Sequence, residues 1–525
     1  MPGSKSRPRP RTGVRENMHH NENSPGAGNT EAVEVAADAT HKSTSLDAAV
    51  QLSHADVIQR ELNLALASAS DNQAKLAYHF AADHGHRVKY TAGLKWFVFD
   101  GTRYKADENE AMVTLLLLGT LRALKAEGVA EAEAALAKSE ARKSAEKKTA
   151  MAVNAQTSSG LDSILKIAGR LSGIAAQVSD FDAKPHLLNM PSGTLDLDTD
   201  VVRAHDPHDM LTKVTRGDYD PQAPAQSDLW DKFLSTVLPD PEVLRYLQQA
   251  AGLSLWGAVL LHILLILTGS GRNGKGVFYN AVKHALGDYA MVADDGLFEA
   301  THGRNANSAS PAVAKLRGAR FLVSSELDEK ARLDAAFTKR LTGGDPLSAR
   351  DLWAKPFEFE PAFTAFMVTN FLPKLPANDP AVWARVRVVP FDVVIPDHQQ
   401  DVLLPEKLKA HADAVLAWVM RGWVDYRANG LVAPGAVQVA TQAYAESQDD
   451  VRRFIDECCA PAPVATSYTT TGLHDAYAEW AQGENIHPAH VLGRAKFGQA
   501  LERLGYPGVK SRGGTVHGLA AFRTP

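Results

Sequence analysis

Cysteine is nearly absent: the 525-residue chain has two, the adjacent Cys458 and Cys459. That count excludes a disulfide framework and a four-ligand zinc site, and it fits a reducing compartment. Long apolar runs are missing as well. The longest, Val259 to Leu267, is broken by His262, whereas a membrane-spanning helix needs about 20 apolar residues. No apolar stretch follows the polar, basic N-terminus, so neither secretion nor membrane anchoring is expected and a cytoplasmic location is. An excess of positive charge is also lacking: 56 Lys and Arg stand against 61 Asp and Glu, for a formal net charge of -5. The chain as a whole is therefore no basic nucleic-acid coat, and any contact with DNA must come from local patches.

What is present divides into four segments, consistent with about three folded domains for this length. Residues 1–54 are rich in Gly, Pro, Asn, Ser and Thr and almost free of aromatics, so they are expected to be a disordered tail. Residues 55–225 read as an α+β domain: helix-like spacing, then an aromatic strand pair from Leu94 to Tyr104 turning at Asp100-Gly101. A solvated helix follows over Ala123 to Lys148, then a second strand-and-turn unit from Leu187 to Leu197. Residues 226–440 begin with helical spacing from Trp230 to Gly257 and continue from Leu260 to Pro396 as apolar strands alternating with helices, the pattern of a parallel α/β core. Residues 441–525 form a separate small unit.

Inside the α/β core, Leu260 to Thr268 reads as a buried strand, and Val277 to Leu286 reads as a helix. Between them lies Gly269-Ser-Gly-Arg-Asn-Gly-Lys-Gly276. Strand, glycine loop and helix in that order are the context a Walker A motif requires. Glycines let backbone N–H groups wrap phosphate oxygens, the helix N-terminus adds a favourable dipole, and Lys275 neutralises the β and γ phosphates. The nucleotide-binding residues expected are Gly269, Ser270, Gly271, Arg272, Asn273, Gly274, Lys275, Gly276 and Val277. Gly276 stands where a Ser or Thr hydroxyl usually ligates Mg²⁺, so the metal must lean on water and on downstream carboxylates.

Arg320 to Glu329 is an apolar strand ending in acids, as needed to hold Mg²⁺ and polarise an attacking water. Glu326 is the first candidate, with Asp328 and Glu329 in support. The strand from Phe363 ends at Asn370, whose amide could orient water against the γ phosphate. Then Trp383 to Phe391 places Arg385 and Arg387 two apart, and an arginine supplied to a neighbour's site stabilises transition-state charge.

Taken together these residues resemble the phage and plasmid primase-helicases, superfamily 3 helicases related to the poxvirus primase-helicase. The resemblance rests on Gly271 to Lys275, Ser325-Glu326, Lys339 to Arg350, Lys355 to Phe359, Thr369-Asn370 and the arginine-rich strand ending in Pro390-Phe391. Upstream, Leu187-Leu-Asn, Gly193 to Leu197 and His205-Asp-Pro207 look like the domain preceding the helicase, so coverage runs from about Asp71 to the C-terminus. The resemblance implies an α/β P-loop (AAA+-like) helicase core with an α+β N-terminal domain. It implies a homo-hexameric ring translocating on single-stranded DNA in a bacterial host cytoplasm, with ATP and Mg²⁺ between subunits and other replication proteins as admissible partners. It further implies that Asn370 is the sensor, that Arg385 is the arginine finger ahead of Arg387, and that Lys339, Arg350 and Lys355 face the DNA channel. Ala384 departs from the pattern, since many members carry an arginine there.

The last segment reads as helices over Leu473 to Trp480 and Ala495 to Leu504, followed by a basic, glycine-containing hairpin. That order suggests a winged-helix-like domain in which Lys496, Lys510 and Arg512 meet phosphates. His84 and His86 are set aside as surface loop histidines, and Asp196 and Asp198 as turn residues rather than a metal pair. The leading expectation is an ATP-driven helicase; the alternatives are an ATP-dependent initiator or loader, which Gly276 keeps open, and a primase-helicase.

Overall fold

The computed structural model describes residues 54–69, 72–300, 310–325, 331–350, 357–377, 379–484, 486, 488 and 491–521. The expected disordered tail therefore lies almost wholly outside the described residues.

The first layer is helical with a small sheet: α1 (His54–Ser68), α2 (Gln73–His84), β1 (Val88–Thr91), β2 (Lys95–Phe99), β3 (Tyr104–Ala106), α3 (Ala111–Ala134), α4 (Glu140–Asn154) and α5 (Ser158–Ala168). The three strands form an antiparallel meander. Its turn is set by Asp100, whose Oδ1 accepts hydrogen bonds from the backbone N of Thr102 and Arg103 at 2.9 and 3.0 Å, an aspartate turn of the expected kind. The stretch from Ala123 to Lys148, expected as one solvated helix, is parts of two. The chain breaks at Ala135 and restarts where the Ser139 hydroxyl accepts from Arg142 N at 3.2 Å, the N-cap of α4. A serine cap offers the helix start a partner for an orphan N–H, which continuing the first helix would not. Leu76, Phe80, Val113, Leu117, Leu121 and Ile164 close the core of this layer.

Next comes the antiparallel meander β4 (Leu187–Met190), β5 (Gly193–Asp196) and β6 (Val201–Arg203). Its Leu188, Met190, Leu195 and Leu197 share a core with Trp230, Leu247 and Phe278 of the segment that follows. Asp196 and Asp198 sit in the turn after β5, where Asp196 Oδ1 accepts from Asp198 N at 2.9 Å and Thr199 N at 3.2 Å.

The central segment runs α6 (Asp228–Val237), α7 (Pro241–Leu253), β7 (Leu264–Thr268), α8 (Lys275–Leu286), β8 (Ala290–Val292), α9 (Pro311–Ala314), β9 (Phe321–Ser325), α10 (Ala335–Leu341), β10 (Leu347–Ala349), β11 (Phe357–Phe359), β12 (Thr364–Thr369), α11 (Pro380–Trp383), β13 (Val386–Pro390), α12 (Leu404–Lys409), α13 (Ala412–Asn429) and α14 (Gly435–Ser447). Five strands form one sheet in the order β13-β7-β12-β9-β8, every pair parallel. Successive residues of each strand face opposite layers. Leu265, Leu267, Val323, Phe366 and Val389 join the core on one face; Leu264, Ile266, Leu322, Met367 and Val388 join the core on the other. Burial on both faces is why these strands read as continuous apolar runs. From β7 the chain crosses to the far edge, works back through β9 and β12, and then passes over β7 to β13. The crevice at the carboxyl end of β7 is thus a topological switch point, where open parallel sheets bind ligands. β10 and β11 form a separate antiparallel hairpin with Leu347 opposite Phe359.

The last unit comprises α15 (Asp450–Cys458), β14 (Cys459–Pro461), α16 (Thr470–Gly483), α17 (Arg494–Arg503), β15 (Val509–Ser511), β16 (Gly514–Val516) and β17 (Leu519–Ala521). β15 and β16 form a hairpin, and β17 pairs with β14. Phe454, Tyr477, Trp480 and Phe497 fill its core. Among the described residues no helix is long and apolar enough to cross a membrane. The molecule is a mixed α/β protein organised around a parallel sheet.

Candidate functional site

The loop after β7 wraps the N-terminus of α8. Gly274 caps that helix with φ +82°, and a Cβ there would lie 2.5 Å from Val237 Cγ1, so both the backbone conformation and the packing demand glycine. A Cβ on Gly269 would lie 2.4 Å from the carbonyl oxygen of Phe391. Arg272 holds φ +51° without being glycine, a conformation that costs about 1 kcal/mol or more and must be held from outside. Ile395 N donates to its carbonyl at 2.9 Å, and its guanidinium pairs with Asp397 at 2.5 Å.

Within the loop, Asn273 is 3 % exposed and Lys275 is 4 % exposed. Asn273 Nδ2 donates to the Phe391 carbonyl at 3.1 Å. The Lys275 ammonium spends its three donors on Gly269 O at 2.8 Å, Asn273 Oδ1 at 3.1 Å and Asn370 Oδ1 at 3.2 Å. All three acceptors are neutral oxygens, and burial pushes the ammonium down to about 8. Among the described residues no carboxylate pairs with it; a buried cation without a counter-charge is costly, and phosphate oxygens would supply one. The residues present therefore fit a phosphate group.

Asn370 reaches Lys275 because β12 lies beside β7 with Thr369 opposite Thr268. β9 is the next strand over, with Ser325 opposite Val368. Glu326, Asp328 and Glu329, the expected metal ligands and water-polarising acids, lie outside the described residues. Among the described residues no group of three His, Cys, Asp or Glu could hold a metal ion. Gly276 is in open space, with nothing within 4 Å of a Cβ built on it.

The two arginines are at the other end of the sheet. Arg385 O accepts from Leu264 N, the first residue of β7, so roughly 15 Å of strand separates it from the loop. Its Nη1 donates to Ala381 O at 2.6 Å, while its Nε is buried without a partner among the described residues. Arg387 donates to the carbonyls of Val386 and Ala384. Neither serves the phosphate loop of its own chain.

Residues 77–239 match the family model described as "D5 N terminal like". The chain is 27% identical over 298 residues to "Putative helicase L207/L206" of Acanthamoeba polyphaga mimivirus, covering 53% of this chain and 31% of that protein. It is 28% identical over 303 residues to "Putative helicase 022R" of Frog virus 3, with the same coverage of 53% and 31%. To "Putative primase C962R" of African swine fever virus (strain Badajoz 1971 Vero-adapted) it is 25% identical over 336 residues, covering 58% and 34%. The chain thus carries a domain similar to the D5 N-terminal-like family and resembles proteins named helicase and primase from large DNA viruses. It spans about a third of the length of the curated relatives it matches. Among solved structures, the apo NrS-1 C terminal region aligns with a TM-score of 0.44 at 10% identity, over 81% of this chain and 85% of that one.

The expected DNA-facing residues are placed unevenly. Lys339 is half-buried and paired with Asp379 at 2.7 Å, so its charge is spent within the chain. Arg350 follows β10 and is exposed; Lys355 lies outside the described residues. Lys510 and Arg512 are exposed on the β15–β16 hairpin, and Lys496 is exposed on α17. His84 is not a loop residue: it closes α2, half-buried, with its Nε2 3.2 Å from the Thr120 hydroxyl. His86, just beyond, is exposed. The clamp of Ile395 and Asp397 on Arg272 has no signature in the sequence. It joins residues over 120 positions apart, and neither partner belongs to a motif.

Proposed function

We propose that this chain is an ATP-hydrolysing DNA helicase of phage or plasmid replication, acting as a homo-hexameric ring on single-stranded DNA in the bacterial cytoplasm. In this reading the parallel sheet is a P-loop, AAA+-like motor core, the layer before it an α+β domain, and the last unit a winged-helix-like domain. The observation that carries the proposal is the meeting of Lys275, Asn273 and Asn370 at the switch point of the sheet. The names of the viral relatives, helicase and primase, favour the same chemistry.

Lys275 would bind and orient the β and γ phosphates, exchanging three neutral acceptors for charged ones. The loop amides from Gly269 to Val277 would cradle the phosphate oxygens. Asn370, already beside Lys275, would position the attacking water, and Glu326 would polarise it with Asp328 in support. When bound, Mg²⁺ supplies neutralisation of the bridging phosphate charge; with Gly276 at the hydroxyl position, Glu326 and Asp328 would hold it together with water. Arg385, facing away from its own loop, suits a neighbouring protomer's site, with Arg387 as second choice. Arg350, Lys355, Lys510 and Arg512 would contact DNA, and six copies give a net-acidic chain a local positive path. Lys339 is better assigned to holding Asp379.

The deciding measurement is ATP turnover with and without single-stranded DNA, for wild type and Lys275→Ala. DNA-stimulated turnover that is lost in the variant supports the motor, and equal rates in both refute it. Gly276 favours one second reading, a loader that uses ATP to assemble a ring. Nucleotide-dependent assembly without strand displacement would select that reading. Primer synthesis on a bare template would select the primase-helicase.

A further inference from the structure

The layer that precedes the parallel sheet contains a cavity of about 500 Å³ that the motor does not use. Its apolar wall comes from Ile58, Leu62, Ala81, Ala176 and Met210. Lys89 of β1 lies in it, far from the phosphate loop in sequence and beside Val88 of a different hydrophobic core.

Lys89 is held in one orientation. Its Nζ donates to Gly85 O at 2.8 Å and also to Gly173 O. An ammonium has three N–H donors, and among the described residues two of those on Lys89 are engaged. Among the described residues no carboxylate pairs with Lys89, and burial alone holds its ammonium down to about 8. Other nitrogen-bearing side chains gather at the same place. His86 lines the cavity, and Arg87, Lys89 and His208 all act to lower its imidazole, after burial. Negative charge nearby is partly committed elsewhere: Asp180 of the lining accepts from Gln177 N at 2.7 Å, and Asp206, next to the lining Pro207, is engaged with His208 at 2.7 Å. An apolar wall around one spare cationic donor suits a ligand with a single anionic group on a largely apolar or planar body. The volume is in the range of small-molecule sites.

We propose that this cavity binds one nucleotide, with its phosphate on Lys89 and its base against the apolar wall. The site itself stands on the cavity and the lysine; the choice of a nucleotide among anions rests on the DNA-directed reading above. One spare donor argues for a monophosphate unit, either a free nucleoside monophosphate or the 5′-terminal unit of a single strand.

The test uses the full chain carrying Lys275→Ala, so that binding at the phosphate loop is suppressed. Thymidine 5′-monophosphate, a 5′-phosphorylated oligothymidylate and inorganic phosphate are titrated separately by calorimetry. Comparison chains add Lys89→Met, Lys89→Arg, or Ala175→Trp, the last at an exposed rim position where the indole would block entry. The expected result is one monophosphate per chain, weakened about tenfold or more by Lys89→Met, as losing a charged hydrogen bond implies. Binding should be abolished by Ala175→Trp and largely kept by Lys89→Arg, with melting temperatures within about 3 °C of the parent. Preference for the free monophosphate or for the oligonucleotide tells the two sources apart. Equal binding by the Met and Trp variants, no binding by the parent, or inorganic phosphate binding as tightly as the nucleotide would overturn the proposal. Loss of DNA-stimulated turnover in otherwise wild-type chain bears on the motor alone, so the two readings fail separately.

Discussion

The ammonium of Lys275 lies 3.2 Å from the carboxamide oxygen of Asn370, although 95 residues separate them. One belongs to the loop that would bind phosphate and the other to the strand end beside it, so their hydrogen bond links a candidate binding group to a candidate positioning group. Replacing Asn370 by Ala should lower kcat about 10²-fold while KM for ATP changes little, the pattern of a donor needed in the transition state. Steady-state kinetics measure both. A large rise in KM with unchanged kcat would make Asn370 a ground-state binding residue instead.

Gly276 offers a gain-of-function test. Since nothing lies within 4 Å of a Cβ built there, Gly276→Ser should fold normally and place a hydroxyl where a metal ligand is missing. The Mg²⁺ concentration for half-maximal turnover should fall. No change in the magnesium titration would mean that the metal does not approach this position.

Protonation of Lys275 should set a pH limit on nucleotide binding. Burial lowers its ammonium to about 8, below the ordinary lysine value, so between about 8 and the unfolded value the unfolded chain holds more protons. The penalty for burying this charge is therefore relieved, and stability gains, as pH rises through that window. Nucleotide binding runs the opposite way because it requires the charged form. Affinity for ATP should fall by about tenfold per pH unit above 8, with proton uptake on binding at pH 8.5. Calorimetry in two buffers of different ionisation enthalpy measures the uptake, and Lys275→Ala should remove it.

Arg385 sits at the opposite end of the sheet from its own phosphate loop, which makes its role testable by mixing. Lys275→Ala and Arg385→Ala should each be nearly inactive alone. Combined in equal parts, they should recover part of the turnover, because an intact loop from one chain can meet an intact arginine from the other. No recovery would place Arg385 outside the neighbour's site.

Exposed charges on the β15–β16 hairpin should contribute to DNA affinity through phosphates alone. Lys510→Ala with Arg512→Ala should weaken single-strand binding equally for different sequences. The double-logarithmic salt slope should shrink by about 0.7 for each phosphate no longer neutralised. An unchanged slope would remove the hairpin from the DNA path.

Local pattern carried much of this molecule. The order of strand, glycine loop and helix around Lys275 was legible because buried parallel strands are continuous apolar runs and because the loop's glycines and lysine have fixed tasks. The turn at Asp100 and the hairpin of β15 and β16 were legible for the same reason: each is decided within a few residues. The break between α3 and α4 was not, because alanine, glutamate and lysine favour helix throughout and only the cap at Ser139 marks the restart. Nor was the fate of Lys339, since a lysine beside a motif looks free until its carboxylate partner, 40 residues on, is placed beside it.

By itself the sequence determined the kinds of element, the resemblance to the D5-like relatives and the order of strand, glycine loop and helix, all of which follow from short-range spacing and residue type. Only the tertiary structure decided that β12 inserts between β7 and β9 and so delivers Asn370 to Lys275. It likewise turned Arg385 away from that loop, clamped Arg272 from Ile395 and Asp397, and closed a cavity around Lys89. These depend on which strands become neighbours, and strand order is fixed by the burial of whole faces rather than by any local signal.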